Sequence, residues 1–286
     1  MRLVAMTHNL WADNRWPERQ GALEALLRIR RPDVYAVQEL RPATRAVIDA
    51  ELPNHRRVDD GERGWSHESS IWWDARQLVE VEHGAWDIGI GVDEFHRDRR
   101  LFWVRLADAD GATIVVSTAH FCYPGTRGEL EQRINPRIAQ SEAAAAALAD
   151  LAAPEEPVLF MGDLNESWHV LRVLHAAGLG DSYSALGVVP PPTWPTTPAW
   201  GGPTAPWVID FQFHRGPVRP LTTEVVDFFA GGIAPSDHRP VVTTYLFDAV
   251  AADAAGLRET SISQPGAGPV LPPPSRAVVP SDMATL

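Results

Sequence analysis

The sequence has no lysine, a single cysteine and no long apolar segment. All 25 basic residues are arginines, which excludes Schiff-base chemistry on lysine and a P-loop lysine on a nucleotide phosphate. Cys122 has no partner for a disulfide within the chain, and no cysteine and histidine cluster has the spacing of a zinc site. A buried hydrophobic core must therefore stabilise this chain of 286 residues, 45% of them hydrophobic.

A membrane segment is also missing. No apolar run approaches the roughly 18 residues that a membrane span requires. The N-terminal stretch reaches polar residues too early for the apolar core of a signal peptide. We therefore expect no membrane span and a cytoplasmic location.

Basic residues are outnumbered by acidic ones, 25 against 37, and the formal net charge is −12. Proteins that bind duplex nucleic acid tightly usually present a broad basic surface, so this charge disfavours that class. A small basic cleft or a divalent cation can still hold a phosphate on an acidic protein. The charge therefore disfavours DNA as the substrate without excluding phosphate chemistry.

Strand-like and helix-like patterns alternate through residues 1–248. Short runs rich in β-branched and aromatic residues predict strands at 2–10, 33–37, 69–73, 77–81, 100–106, 113–118, 157–161, 207–213, 222–229 and 240–247. Apolar residues at helical spacing predict helices at 17–29, 42–50, 127–151 and 168–177. Pro136 either kinks the third of these helices or opens a new helix capped by Asn135, and we favour the new helix.

Residues 249–286 have a different composition. They are rich in proline, alanine and serine, contain few aromatic residues and show no strong periodicity. Such a segment cannot bury enough apolar surface to fold by itself. We therefore predict one folded domain at 1–248 and a disordered tail at 249–286.

Polar residues follow or interrupt several of the predicted strands. Their positions are Asn9, Glu39, His120, Asp163, Asn165, Asp210, Asp237 and His238. Scaffolds that contain sheets often place functional groups at strand ends, because the sheet holds them rigidly and the loops give access. Carboxylate and amide oxygens suit Mg²⁺, and imidazole suits a phosphate, so this set is typical of phosphoester hydrolysis.

The segments HNLW, VQEL, STAHF, MGDLN, WVIDFQF and PSDHRPV occur in this order over most of residues 1–248. Together they resemble the endonuclease/exonuclease/phosphatase superfamily, which has the deoxyribonuclease-I-like fold. The resemblance implies an α+β protein built as a two-layered β-sandwich flanked by helices, a four-layer α/β/β/α arrangement. It also implies that residues 1–248 form a catalytic domain.

The same resemblance implies a metal site. Glu39 of VQEL would be the principal metal ligand. Asn9 would belong to the same metal and phosphate network, and Asp237 would lie near the metal. The expected ion is Mg²⁺, with Mn²⁺ as an alternative.

The remaining roles concern the phosphate and the attacking water. Asp163 would orient or deprotonate the water, and Asn165 would donate a hydrogen bond to a phosphate oxygen. His238 would contact the scissile phosphate and would be oriented by Asp210. His120 would be a second histidine that faces the phosphate.

Each of these residues also has a structural interpretation. Asp163 and Asn165 would form a polar turn with a helix N-cap, and Asn9 an Asx turn. Asp237 and His238 would form a surface turn, Asp210 would be a buried carboxylate with satisfied hydrogen bonds, and His120 a core histidine. All of these alternatives would have to hold together, so we favour the catalytic interpretation.

The predicted function is a metal-dependent phosphoester hydrolase in which water attacks in line. A small molecule or a lipid headgroup is the favoured substrate. The alternatives are a DNA endonuclease and a binding module that has lost catalysis.

Trp194 and Trp200, in the proline-rich loop at 190–206, are candidates for substrate contact. Glu68 is expected to be a solvated loop residue, with a carboxylate that orients His120 as the alternative. The oligomeric state is left open.

Overall fold

The computed structural model describes residues 1–89, 98–195 and 205–248. Its strands are β1 (Arg2–Asn9), β2 (Val34–Gln38), β3 (His55–Arg57), β4 (Ser69–Asp74), β5 (Val79–Asp87), β6 (Arg100–Ala107), β7 (Thr113–His120), β8 (Val158–Asp163), β9 (Gly180–Asp181), β10 (Asp210–Arg215), β11 (Val218–Val225) and β12 (Val241–Phe247). Its helices are α1 (Gln20–Arg30), α2 (Pro42–Glu51), α3 (Arg63–His67), α4 (Arg127–Gln132), α5 (Pro136–Leu151), α6 (Trp168–Ala176) and α7 (Ser182–Leu186). The predicted tail at 249–286 and Trp200 lie outside the described residues.

The strands form two mixed sheets of six strands each. The first has the order β11-β12-β1-β2-β4-β3, and the second has the order β5-β6-β7-β8-β10-β9. Each sheet has a parallel pair near its centre, β1 with β2 and β7 with β8. The other named strand pairs are antiparallel.

Three apolar cores define four layers. Between the sheets, Ile71 of the first sheet packs in one cluster with Val116 and Leu159 of the second. The helices α1 and α2 cover the outer face of the first sheet, and α5 and α6 cover the outer face of the second. The predicted α/β/β/α sandwich is therefore confirmed.

The strand register brings the predicted polar residues together. In the parallel pairs, Asn9 lies opposite Gln38, the residue before Glu39, and His120 lies opposite Asp163. Asp163 is also opposite Asp210 in the antiparallel pair of β8 and β10. Because the carboxyl ends of parallel neighbours meet at one edge, the sheets deliver these side chains to a common place.

Most predicted elements are confirmed, with corrections at their ends. The first helix begins at Gln20 and not at residue 17, because residues 11–19 form turns in which Trp11, Ala12 and Arg15 have positive φ. Asn135 caps α5 by accepting a hydrogen bond from the Arg137 amide, so the predicted helix at 127–151 is two helices. The strand predicted at 207–213 begins only at residue 210, while those predicted at 77–81 and 222–229 are shifted to 79–87 and 218–225.

Four short elements were not predicted, namely β3, α3, β9 and α7. Each has five residues or fewer, too short for a periodic pattern to develop. Among the described helices, none is long and apolar enough to cross a membrane.

Candidate active site

A cleft of about 590 Å³ opens where β7 and β8 end. Its lining residues are Trp11, Asn14, Glu39, Arg99, His120, Tyr123, Thr126, Asp163, Asn165, Trp194, Asp237 and His238. All the predicted site residues line it except Asn9 and Asp210, which are buried and hydrogen-bonded to lining residues. The structure therefore gathers the whole predicted set at one site.

Asn9 connects the two sheets at the floor of the cleft. Its side-chain amide donates hydrogen bonds to Glu39 Oε1 at 3.1 Å and to Asp163 Oδ2 at 2.9 Å. Its Oδ1 accepts a hydrogen bond from the Trp11 amide at 2.9 Å. That last contact is the Asx turn named as the structural alternative, so Asn9 is both a turn residue and a part of the site.

Asp163 is buried at the centre of the site. Its Oδ1 accepts a hydrogen bond from the Asn165 amide at 2.9 Å. Burial raises the pKa of Asp163 to about 7, and the charge of Asp210 adds to this effect. A carboxyl group with that pKa exchanges its proton near neutral pH, which is unusual for aspartate.

Asn165 lies beside His120 and is not a helix cap. Its side-chain amide donates to the Phe121 carbonyl at 3.1 Å and lies 3.1 Å from His120 Nε2. The residue that precedes α6 is Ser167, so the N-cap interpretation of Asn165 is wrong. Asn165 has a φ of 51°, in the left-handed region that asparagine tolerates better than most residues.

His238 is held between two buried carboxylates. Its Nδ1 lies 2.9 Å from Asp210 Oδ2, and its Nε2 lies 3.8 Å from Asp163 Oδ2. Burial disfavours the imidazolium, but the charges of Asp210 and Asp163 outweigh this effect and raise the pKa of His238 well above its usual value. The raised pKa favours the imidazolium, in which Nδ1–H donates to Asp210.

The same three side chains could hold a metal ion. Asp163, Asp210 and His238 offer ligand atoms that all lie within 4.8 Å of one another. Oδ1 of Asp210 is buried and has no hydrogen-bond partner in the described part of the chain. The predicted metal ligands Glu39 and Asp237 line the same cleft but are not members of this cluster.

His120 lies across the site from His238. Its Nε2 is 3.5 Å from the same Asp163 Oδ2 that His238 approaches. His120 lines the cleft and a neighbouring pocket of about 310 Å³, which also contains Glu39, Glu68 and Arg99. It therefore lines the site although its side chain is buried and hydrogen-bonded, and its role toward the phosphate stays a prediction.

Glu68 differs from the expectation of a solvated loop residue. It is partly buried, and burial raises the pKa of its carboxyl to about 7 against the opposing charge of Arg99. Its position in the pocket beside His120 leaves the orienting role open as a prediction. The residues that line this pocket with Glu68 include Glu39, Arg99 and His120, which lie far from it in the sequence, so a local pattern does not reveal its burial.

Trp194 contacts two of the predicted site residues directly. Its Nε1 donates to Asp237 Oδ2 at 3.1 Å, and its indole stacks on the His238 ring with centroids 5.8 Å apart and planes at 18°. Tyr123 packs edge-on against the same indole. Beside it, Thr193 Oγ1 accepts a hydrogen bond from the Asp210 amide. The segment around Trp194 thus orients Asp210, Asp237 and His238, whereas its predicted contact with substrate stays a prediction.

Sequence reasoning missed the other lining residues, most importantly Arg99. Leu101 pairs with Ala119 where β6 runs beside β7, so this register places Arg99 near His120. The available signal was two consecutive arginines at the start of a strand whose hairpin partner ends in a histidine. Trp11 and Tyr123 gave no such signal, because each is one aromatic residue in a loop.

Comparisons with known proteins identify the family and the fold. The sequence profile described as the Endonuclease/Exonuclease/phosphatase family matches residues 6–238. An endonuclease/exonuclease/phosphatase from Bacteroides vulgatus superposes with a TM-score of 0.71 at 15% identity, covering 87% of this chain and 100% of that one. No protein in a search of curated sequences matches significantly.

Two further solved structures show the same fold. One is the mannosyl-6-phosphatase of Bacteroides thetaiotaomicron, with a TM-score of 0.67 at 18% identity over 86% of this chain and 100% of that one. The other is D. rerio TDP2 complexed with a single-strand DNA product, with a TM-score of 0.66 at 18% identity over 86% and 99%. At these identities the similarity establishes the fold and leaves the substrate undetermined.

Proposed function

Since the chain belongs to the Endonuclease/Exonuclease/phosphatase family, we propose that it is a divalent-metal-dependent phosphoester hydrolase. One observation carries the proposal. His238 with a raised pKa, a buried Asp163 whose pKa is about 7 and the carboxylates of Glu39 and Asp237 meet in one cleft. This set combines a hydrogen-bond donor, a proton acceptor and oxygen ligands, as hydrolysis at phosphorus requires.

The donor atoms fit a hard divalent cation such as Mg²⁺ or Mn²⁺. Glu39 and Asp237 present carboxylates to the cleft, and Mg²⁺ is usually bound by one or two carboxylates plus substrate phosphate. When bound, the ion would neutralise negative charge that develops on the phosphoryl oxygens. Because the NH₂ group of Asn9 points at Glu39, we assign Asn9 to orienting that ligand.

The cluster of Asp163, Asp210 and His238 is less suitable for the metal. Its two carboxylates are already compensated by the imidazolium that lies between them. A cation bound there would have to replace a ring proton of His238. If the imidazolium kept its positive charge, it would repel the cation. We therefore place the metal on the side of Glu39 and Asp237.

Asp163 is the proposed general base. A carboxyl group whose pKa lies near the working pH is best matched to take a proton from water. Its Oδ2 is oriented by Asn9 and its Oδ1 by the Asn165 amide, so its plane is fixed. Nε2 of His238 lies 3.8 Å from the same Oδ2, and in a protonated imidazole it already carries a hydrogen, so the proton taken from water stays on the Asp163 carboxyl.

The phosphate would be held by donors on both sides of Asp163. Protonated His238 donates through Nε2, while Asn165 and His120 provide polar groups on the other wall. Arg99 adds a guanidinium at the cleft, and its Nε is buried and has no hydrogen-bond partner in the described residues. The donors on His238 and Arg99 would stabilise charge on the phosphoryl oxygens in the transition state.

A small molecule or a lipid headgroup remains the favoured substrate. The cleft of about 590 Å³ has the size of a small-molecule site, and the chain carries a net charge of −12. The similar mannosyl-6-phosphatase is named for a phosphosugar. A nuclease is the second candidate, because the similar TDP2 structure contains a single-strand DNA product.

A substrate panel tests the proposal. It comprises bis-p-nitrophenyl phosphate, p-nitrophenyl phosphate, sphingomyelin, inositol phosphates and supercoiled plasmid, each with EDTA, Mg²⁺ or Mn²⁺. We expect hydrolysis of a small phosphoester that requires the metal and is lost in Glu39→Gln. The matched control is Glu131→Gln, an exposed glutamate on α4.

Three results would contradict this scheme. Hydrolysis that persists in EDTA and in Glu39→Gln would remove the metal role. Plasmid nicking with every small phosphoester left intact would favour the nuclease, and inactivity on the whole panel would favour the binding module.

A further inference from the structure

Arg19 is a fully buried arginine that the proposed chemistry does not use. It occupies the N-cap position of α1, where Ser, Thr, Asp or Asn is preferred and where a positive charge opposes the helix dipole. Every hydrogen bond of its guanidinium among the described residues ends on a backbone carbonyl oxygen. A buried charge with these properties is costly, so its place calls for an explanation other than the stability of α1.

The carbonyl groups that Arg19 binds belong to two separate segments. Its Nε donates to Asn14 at 2.7 Å, and its Nη2 donates to Ala12 at 3.2 Å and to Trp11 at 3.4 Å. Its Nη1 donates to Pro235 from the far end of the chain. One guanidinium therefore joins the loop after β1 to the loop before β12.

The first segment controls Asn9. The guanidinium carbon of Arg19 lies 5.2 Å from the centre of the Trp11 ring and 5.6 Å from that of Trp16. Trp11 has a φ of 58°, which is rare for a bulky residue and needs support from its surroundings. In that conformation its amide donates to Asn9 Oδ1, which leaves the NH₂ group of Asn9 directed at Glu39.

The second segment controls Asp237 and His238. Pro235 is followed by Ser236, whose Oγ donates to the Asn9 carbonyl at 2.6 Å and accepts from the His238 amide at 3.2 Å. Fixing the Pro235 carbonyl therefore fixes the backbone that carries both Asp237 and His238. The charges of Asp237 and Glu39 also attract the guanidinium, against the burial that lowers its pKa to about 10.

We infer that Arg19 is a positioning residue that sets the distance between the Asn9 and Glu39 side of the cleft and the Asp237 and His238 side. The inference rests on the proposed function for its effect on turnover. It needs no contact between Arg19 and substrate, because Arg19 is completely buried. Its planar set of donors matters as much as its charge, since a lysine cannot reach carbonyls on both segments in the same way.

The test compares two variants. Arg19→Lys keeps the charge, and Arg19→Ala leaves room for an added guanidinium ion beside the indoles of Trp11 and Trp16. Arg28→Lys is the matched control, because Arg28 lies on the same helix with an exposed, ion-paired side chain. Circular dichroism and thermal unfolding establish that each variant folds. Turnover is measured on whichever phosphoester the panel identifies.

We expect kcat to fall about 100-fold in Arg19→Lys, as for a misplacement of about 1 Å at a catalytic centre. KM should stay within about threefold, because no substrate contact is lost. Guanidinium chloride at low millimolar concentration should restore at least part of the activity of Arg19→Ala, whereas sodium chloride at the same concentration should not. The control should behave as the wild type.

Two measurements do not depend on catalysis. In Arg19→Lys without metal or substrate, amide hydrogen exchange should accelerate at residues 11–14 and 235–238 and stay unchanged in the sheets. Mn²⁺ alone, followed by electron paramagnetic resonance, should bind about tenfold more weakly than to the wild type. A wild type that hydrolyses nothing would refute the proposed function, and these two measurements would still decide the role of Arg19.

Three results would overturn the inference. The first is an Arg19→Lys variant with wild-type kcat and wild-type exchange at both segments. The second is faster exchange throughout the protein, which would make Arg19 a general stabilising residue. The third is loss of the fold in both variants, which would also make Arg19 a general stabilising residue.

Discussion

Replacing Asp163 by asparagine should stabilise the protein at neutral and alkaline pH while it removes most of the proposed activity. Asp163 is buried beside Asp210, and its pKa is raised from 3.8 to about 7. The folded protein therefore binds this proton more tightly than the unfolded chain does. Asparagine has nearly the same shape and resembles the protonated carboxyl, so the variant avoids the cost of a buried negative charge.

The sign and size of the change in the free energy of unfolding follow from the difference in proton binding between the folded and unfolded states. Between pH 3.8 and about 7 the folded state holds a proton that the unfolded chain has lost, so the stability of the wild type falls as the pH rises through this window. A pKa change from 3.8 to about 7, at 1.36 kcal/mol for each pH unit, amounts to at most about 4 kcal/mol. Above the usual pKa of histidine the wild type also begins to lose the stability that His238 contributes, because the pKa of that residue is raised as well.

The assay is urea-induced unfolding of the wild type and of Asp163→Asn in EDTA at pH 4, 5, 6, 7 and 8. The free energy of unfolding of the variant should exceed that of the wild type by an amount that grows up to about pH 7 and then levels off. Turnover at pH 7 should fall by about 10² to 10⁴, which is the usual contribution of a general base. Asp150→Asn, at an exposed position on α5, is the control and should show no such growth.

Two results would refute this reasoning. A variant less stable than the wild type at pH 8 would mean that the Asp163 carboxylate is net favourable in the folded state. A stability difference that does not change with pH would mean that the effect is one of packing and not of ionisation.

The remaining predictions concern single contacts in the cleft. Asp210→Asn removes the charge that most raises the pKa of His238, so kcat should fall by about 10² to 10⁴; a variant within threefold of the wild type would exclude His238 as a charged donor. Trp194→Phe keeps a ring on His238 but loses the hydrogen bond to Asp237, so Mn²⁺ affinity measured by titration should fall about 10-fold, and unchanged affinity would argue against Asp237 as a ligand. Arg99→Gln removes a guanidinium from the cleft and should lower kcat/KM about 10-fold to 100-fold, the value of a hydrogen bond to a charged group; an unaltered kcat/KM would mean that the phosphate binds elsewhere.

Local patterns sufficed for much of the architecture. β2 is buried along its whole length, and most of β6 alternates between buried and half-buried positions. The pattern of apolar residues in each strand reflects this burial, so both strands could be predicted from the sequence. The break at Asn135 and Pro136 was predictable because capping and the proline ring act over one turn. The start of α1 was not predictable, because Trp11, Ala12 and Arg15 take left-handed conformations that their side chains do not favour.

The candidate site divides in the same way. Its residue types stood at strand ends, where six short segments in order indicated the family. The contacts between these residues could not be predicted from the sequence, because Asn9 and Asp163 are 154 positions apart and meet only when two sheets pack. The roles of Trp194, Arg99 and Arg19 depend on the same packing, since each side chain reaches groups that come from another part of the chain.

The sequence by itself determined which groups are present and which elements carry them, because strand, helix and cap preferences depend on near neighbours. Only the tertiary structure decided how those groups behave. Burial and the charge of Asp210 raise the pKa of Asp163 to about 7, and the charges of Asp210 and Asp163 raise the pKa of His238. The pKa of a side chain depends on the solvent and charges that surround it, and in this protein those surroundings are assembled from both sheets and from the loops that join them.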